Sequence, residues 1–196
     1  MSNRSIETIV ELCREGDRSA FNELVDAYSR RLYAFVNTIL NDHDATDDII
    51  QETFVRVYAN IEKYNNESAF SHWLFKIAHR QILNRQKSES LRKDRELRYE
   101  REKVYDENER GKDAPEQQVV DKEGISNIVK IINTLSAKQK AAISLFALEG
   151  YSIKEISGIM ECSQGTVMSH LHRAKQAIKG KIPPKDNNGS IERSEN

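Results

Sequence analysis

Three groups of side chains in this sequence are spaced to do chemistry, and all three are ionic. Asp42, Asp44, Asp47, Asp48 and Glu52 form an acidic cluster with no Lys or Arg among them. From Phe70 to Lys87 the only ionised residues are Lys76, Arg80, Arg85 and Lys87. From Ser163 to Lys181 they are again all basic: Arg173, Lys175, Lys179 and Lys181. A formal net charge of −1 hides this segregation. One acidic block and two basic ones imply different partners for different faces, although any one run taken singly reads equally well as a solvated surface.

Catalytic and metal chemistry find no comparable support. Cys162, His170 and His172 come nearest to a ligand set, but two histidines two residues apart on a helix point to different faces, and a fourth ligand is missing. There is no P-loop, no GxGxxG and no Ser/His/Asp or paired-carboxylate constellation, so the expectation is a non-enzyme with no metal and no cofactor. Cys13 and Cys162 form no disulfide framework and read as free thiols in a reducing cytoplasm. No apolar run approaches the length of a membrane span, and the N-terminus lacks a signal peptide's apolar stretch; membrane insertion is not expected.

The elements that must position these charges read as helices. Only 8 Gly and 3 Pro occur in 196 residues, and every Pro lies outside the periodic segments, which argues against a turn-rich β-sandwich. Ile6, Ile9, Val10 and Cys13 follow helical spacing, as do Phe21, Leu24, Val25 and Tyr28, with Gly16 between them. Leu32, Phe35, Val36, Ile39 and Leu40 carry on a stripe, and after the polar segment NDHDATD another helix is marked by Ile50, Phe54, Val57, Tyr58 and Ile61. Beyond the polar loop Asn65–Ser68, Phe70, Trp73, Leu74, Ile77 and Ile82 close the first domain, expected over residues 6–87. Trp73 and Phe70 sit on that apolar stripe and read as core; Tyr64, beside the loop, is the better candidate to touch a ligand.

Residues 88–124 are a charged linker whose few large aliphatics cannot build a core, although its first part could prolong the preceding helix through opposite charges three or four residues apart. A second helical domain is expected over 125–181, followed by a disordered tail over 182–196. Ser136 with Gln139, and Ser152 with Glu155, match capping boxes, and Gly150 is a natural left-handed terminator. From Ser152 to Ile178 a short capped helix, a tight turn and a polar-faced helix read as a helix-turn-helix for the major groove. Gln164, Thr166, Ser169 and His170 are short enough to approach bases, while Arg173 and Lys175 would serve phosphates.

The segment GYSIKEISGIMECSQGTVMSHLHRAKQAI closely resembles region 4 of bacterial RNA polymerase sigma factors. Independently, GDRSAFNELVDAY, DATDDIIQETFVRVY and SAFSHWLFKIAHRQIL resemble region 2, in the expected order and spacing. Two such regions on a short linker resemble the extracytoplasmic-function subfamily, so the resemblance implies an all-α fold of two small helical domains. It also implies a protein that binds core RNA polymerase, recognises promoter −10 and −35 elements, helps melt the start site and answers to an anti-sigma factor. By the same resemblance Asp47, Asp48, Gln51, Glu52 and Phe54 would dock on the clamp helices of the β′ subunit. The −10 element would fall to Tyr64, Asn65, Ser68, Lys76, His79, Arg80, Asn84 and Arg85, and the −35 element to Ser163, Gln164, Thr166, Met168, Ser169, His170, Arg173 and Lys175. Four positions depart from the family's common pattern: Arg80 replaces an asparagine that reads a base, Asn84 replaces an aspartate, and Met168 and His170 replace Lys or Arg. A stand-alone helix-turn-helix regulator and a sigma-like decoy remain the alternatives at this level.

Overall fold

In the computed structural model, residues 4–103 and 130–179 are described, and all regular structure among them is helical. The linker beyond Lys103, the expected start of the second domain at Ile125 and the tail from 182 lie outside the described residues.

Short polar side chains decide where each helix begins. Ser5 Oγ accepts from the Thr8 amide (3.3 Å) to open α1 (Ile6–Arg14). The chain reverses at Gly16, whose φ of +89° suits only glycine well, and Asp17 accepts from the amides of Ser19 and Ala20 to open α2 (Arg18–Leu40). The two apolar stripes from Phe21 to Leu40 therefore belong to one helix. Asp42 caps α3 (His43–Asn60) through the Ala45 amide at 3.0 Å. Here the sequence expectation fell short, because the polar segment after Leu40 forms the first turn of α3. Ala45 and Thr46 are buried there, and the Thr46 hydroxyl donates back to the Asp42 carbonyl at 2.6 Å.

A 3-10 turn, Ile61–Lys63, and a loop lead to α4 (Phe70–Lys103). This helix continues well past Lys87, carried by i,i+4 pairs such as Arg85–Glu89 (2.9 Å) and Arg92–Glu96 (3.3 Å). In the second half, residues 130–133 are helical and are followed by α5 (Ala137–Ala147), α6 (Ile153–Met160) and α7 (Gln164–Lys179). Both expected capping boxes form, Gly150 takes a φ of +72°, and Ser163 Oγ accepts from the Thr166 amide at 3.1 Å to cap α7.

Leu24, Leu32, Phe35, Val36, Val57, Leu74 and Ile82 fill the space between α2, α3 and α4. Leu145, Ile156, Ile159 and Val167 fill the smaller space between α5, α6 and α7. Each such side chain contributes about 1.5–3 kcal/mol by leaving water. The two cores are continuous. Tyr151, at the entrance to α6, is buried with its ring edge-on to His72 (4.7 Å between centroids) and Phe75 (5.9 Å) of α4. Lys140 of α5 donates to the Ile39 carbonyl (3.4 Å) and to Asn133 Oδ1 (3.3 Å), supplying a cation to the end of a helix that has no basic residue in its last turn.

Because Ser152 satisfies an otherwise orphaned amide of α6, Ser152→Ala should lower unfolding stability by about 1 kcal/mol and Ser152→Gly by only a few tenths. Urea unfolding midpoints of the full chain measure both.

Candidate polymerase and nucleic-acid interfaces

The acidic face is set by the register of α3. Thr46, Ile49, Thr53 and Val57 point inward, which leaves Asp47, Asp48, Gln51 and Glu52 exposed. Phe54 does not join them. It is buried, with its ring edge-on to Phe21 at 6.5 Å, and so belongs to the core and not to the exposed interface assigned to it. The apolar surface on this face comes instead from Val55 and Tyr58, which are 56% and 50% exposed. Tyr58 occupied the expected apolar stripe, and only its position at the stripe's edge distinguishes it from a core residue. Glu52 pairs with Arg56 at 2.7 Å and Asp48 with Arg85 at 3.5 Å, so Arg85 faces α3 and Glu89.

Lys76, Arg80 and Asn84 recur every four residues along α4 and line up on one outward face. Arg80 and Asn84, with Arg56, Asn60, Lys63 and Trp73, border a groove of about 390 Å³ between α3 and α4. Trp73 is only half-buried: its ring lies against Tyr64 (5.4 Å) and Phe70 (5.8 Å) on one side and borders this groove on the other. Arg56, Asn60, Lys63 and Trp73 were missed as binding candidates. The first three sit on the preceding helix and turn, and nothing local in the sequence signals that α3 folds back beside α4.

Two expected −10 contacts are internal. Tyr64 is buried, its hydroxyl donates to the Ser68 carbonyl at 2.5 Å, and its ring packs on Phe70. It shapes the loop from beneath and has no face free for a base. Arg14 of α1 donates to the Tyr64 carbonyl and lies 5.6 Å from the ring centroid, so α1 holds the start of this loop. Asn65 and Ser68 remain exposed on it, with Asn65 Oδ1 accepting from the Glu67 amide at 3.3 Å. His79 is the second correction. It is buried in α4, and burial pulls its imidazole pKa down to about 4, so it is neutral and supports the helix from within.

On α7 the inward residues are Val167, Leu171 and Ala174. Gln164, Met168, Ser169, Arg173 and Lys175 are exposed, Met168 at 52%, while His170 is half-buried with Nδ1 turned inside. Ser163 and Thr166 are exposed, but their hydroxyls engage each other at 2.9 Å at the helix cap. Lys175 leans over the Phe146 ring, its Nζ 4.7 Å from the centroid. His172 and Gln176, both exposed, lie four residues apart on the face opposite the core, beside Ser169 and Arg173. Neither stands among the residues expected to contact the −35 element.

Residues 24–92 match the family model of Sigma-70 region 2, and residues 125–178 that of Sigma-70, region 4. The ECF RNA polymerase sigma-E factor of Haemophilus influenzae is 34% identical over 181 residues, covering 91% of this chain and 95% of that one. The ECF RNA polymerase sigma-E factor of Escherichia coli K12 is 30% identical over 184 residues, covering 91% and 94%. Among solved structures, the sigma factor RpoE in complex with the anti-sigma factor NepR from Bartonella quintana is similar with a TM-score of 0.59 at 25% identity, covering 82% of this chain and 94% of that one. CnrH in complex with the cytosolic domain of CnrY has a TM-score of 0.60 at 18% identity, over 88% of this chain and 94% of that one, a likeness of fold.

The buried imidazole gives a pH signature. In the unfolded chain His79 binds a proton near pH 6.5, whereas in the folded chain it does so only near pH 4. Stability should therefore fall as pH drops through that interval, by an amount on the order of 3 kcal/mol. Urea unfolding of the wild type and of His79→Gln across the interval checks this, and the variant should show a shallower fall.

Proposed function

Since this chain belongs to the extracytoplasmic-function branch of the sigma-70 family, we propose that it divides its ionic surfaces between polymerase and promoter. It is a sigma factor, which joins core RNA polymerase and directs promoter-specific initiation of transcription. The exposed acids Asp47, Asp48 and Glu52, with Gln51, Val55 and Tyr58, form the surface that docks on the β′ clamp helices. Complementary charge would speed encounter, and the apolar pair would supply contact area once docked.

The groove between α3 and α4 takes the −10 strand. Melting a duplex means holding bases out of the stack beside a cationic track. Trp73 offers a partly exposed aromatic face, Lys76 and Arg80 offer charge, and Asn65, Ser68 and Asn84 offer hydrogen bonds. Tyr64 and His79 hold these groups in place. On α7, Gln164, Ser169 and His172 approach the −35 bases, with Arg173 and Lys175 on phosphates and the hydroxyls of Ser163 and Thr166 fixing the helix start. Nucleotidyl transfer is the polymerase's step, and the chain itself carries out no catalysis and needs no cofactor. Its place of work is the cytoplasm, where an anti-sigma factor would regulate it. Among the described residues no helix is long and apolar enough to cross a membrane.

The observation that carries this reading is the segregation of charge on the folded chain: exposed acids from Asp44 to Glu52 on α3, and cations without acids from Phe70 to Lys87 of α4 and along α7. Reversing Asp47, Asp48 and Glu52 to lysine should weaken association with core polymerase at least tenfold and abolish run-off transcription. Wild-type affinity in the triple variant would remove the acidic face from the docking surface. On α7, Met168→Lys with His170→Arg should tighten −35 duplex binding by the holoenzyme and steepen its salt dependence by about 0.9 per added phosphate contact. A promoter-binding titration over a salt series measures both.

A further inference from the structure

We propose that Arg14, a residue of α1 outside the groove, is a positioning residue for strand opening: it ties the start of the −10 loop to α1, and through Tyr64 it fixes both that loop and the exposed face of Trp73. The inference rests on the reading of the groove between α3 and α4, with its loop, as the −10 surface.

The loop between Lys63 and Phe70 closes mainly on itself. The Tyr64 amide donates to the Ile61 carbonyl at 3.2 Å, the Tyr64 hydroxyl to the Ser68 carbonyl at 2.5 Å, and the Glu67 amide to Asn65 Oδ1 at 3.3 Å. Asn66 turns the chain through a left-handed φ of +59°. The tip of the loop does not rest on α1: a cleft of about 340 Å³ lies between Ile6, Glu7 and Val10 on one side and Asn66, Ser68 and Ala69 on the other. Arg14 reaches across from α1, 50 residues away in sequence, and its Nη2 donates to the Tyr64 carbonyl. The loop is thus tied at its root and has room to settle toward α1 if that tie is lost.

The guanidinium is itself held in place. Its Nη1 donates to Glu11 Oε1, one turn earlier on α1, at 2.5 Å, and the group lies 5.6 Å from the centroid of the Tyr64 ring. The side chain keeps only 21% of its surface exposed, and Nε is buried with no hydrogen-bond partner in the protein. An aliphatic side chain would avoid that unmet donor, but it could not hold Glu11 and the Tyr64 carbonyl together. Tyr64 then carries the position onward in two directions. Its hydroxyl holds Ser68 at the far end of the loop, and its ring backs Trp73 at 5.4 Å, away from the side on which Trp73 borders the groove. A shift of the Tyr64 backbone would therefore move the exposed aromatic and the polar loop together. Groups that capture an unstacked base have to be held to within about 0.5 Å by the residues behind them.

The test uses holoenzyme assembled from the full chain and core polymerase, on a duplex promoter selected from random DNA by the wild type and carrying 2-aminopurine in its −10 element. Arg14→Ala should slow opening, read as the rise in fluorescence, about tenfold while leaving closed-complex affinity within about twofold. Arg14→Lys, whose ammonium can still donate to the carbonyl, should recover part of the rate. Tyr64→Phe keeps the ring and the carbonyl but loses the tie to Ser68, and it should slow opening about threefold. Added to Arg14→Ala it should cost less than it does alone, because both changes loosen one chain of contacts. Wild-type opening in Arg14→Ala overturns the proposal, as does a loss of closed-complex affinity as large as the loss of rate, or full additivity of the two changes. Lys76→Ala with Asn84→Ala tests the −10 reading separately. Slow opening there beside wild-type opening in Arg14→Ala sinks the positioning role alone, whereas wild-type opening in both sinks the −10 reading itself.

Discussion

The packing of Tyr151 into α4 is the contact on which the arrangement of the two halves depends. The ring is buried between His72 and Phe75, and it joins two cores that would each be small alone. Among the described residues the second half buries fewer large side chains than the first, and a small core is marginal without something to lean on. Burial of an aromatic supplies energy without direction, whereas the surrounding polar contacts supply direction. Lys140 on the end of α2 and Arg31 on Glu149 (Nε to Oε2, 2.9 Å) fix one edge, and Lys76 and Arg80 on Glu161 fix the other.

That division explains how a chain with almost no net charge can serve partners of opposite sign. Segregated charge matters at short range, where a Debye length of about 8 Å at physiological salt separates one face from the next. Among the described residues the acids of α3 and the cations of α4 form one ion pair, Asp48–Arg85. Lys76 and Arg80 of α4 meet instead the Glu161 carboxylate at the end of α6. The same helix α4 is thus a common wall of the core, the groove beside α3 and the seam between halves.

Helix ends and helix identities were legible in the sequence because capping is local: Ser136 with Gln139 and Ser152 with Glu155 state their own geometry within four residues. Side-chain direction was legible only away from stripe edges. Phe54 and Tyr58 are one helical turn apart on α3, yet one is core and the other half-exposed. Both approach the ring of Phe21 on another helix, Tyr58 at 5.0 Å and Phe54 at 6.5 Å, so contact with that ring does not tell them apart. His79 and Tyr64 misled for a related reason. A polar atom next to a candidate site suggests contact with a ligand, but His79 is buried and Tyr64 spends its hydroxyl on Ser68. The seam was not legible at all, since Arg80 and Glu161 are 81 residues apart and neither carries a signal of the other.

Rim pairs of this kind add little to the strength of the seam. Lys76, Arg80 and Glu161 each keep more than a third of their side-chain surface in water, so each pair is worth at most about 1 kcal/mol. A fully buried ion pair would resist opening far more strongly, because removing either partner's counterpart would strand a charge in a dry interior. Exposed pairs instead exchange their carboxylate for water, salt or phosphate at little cost. Parting the two halves would therefore have to overcome mainly the apolar seam at Tyr151.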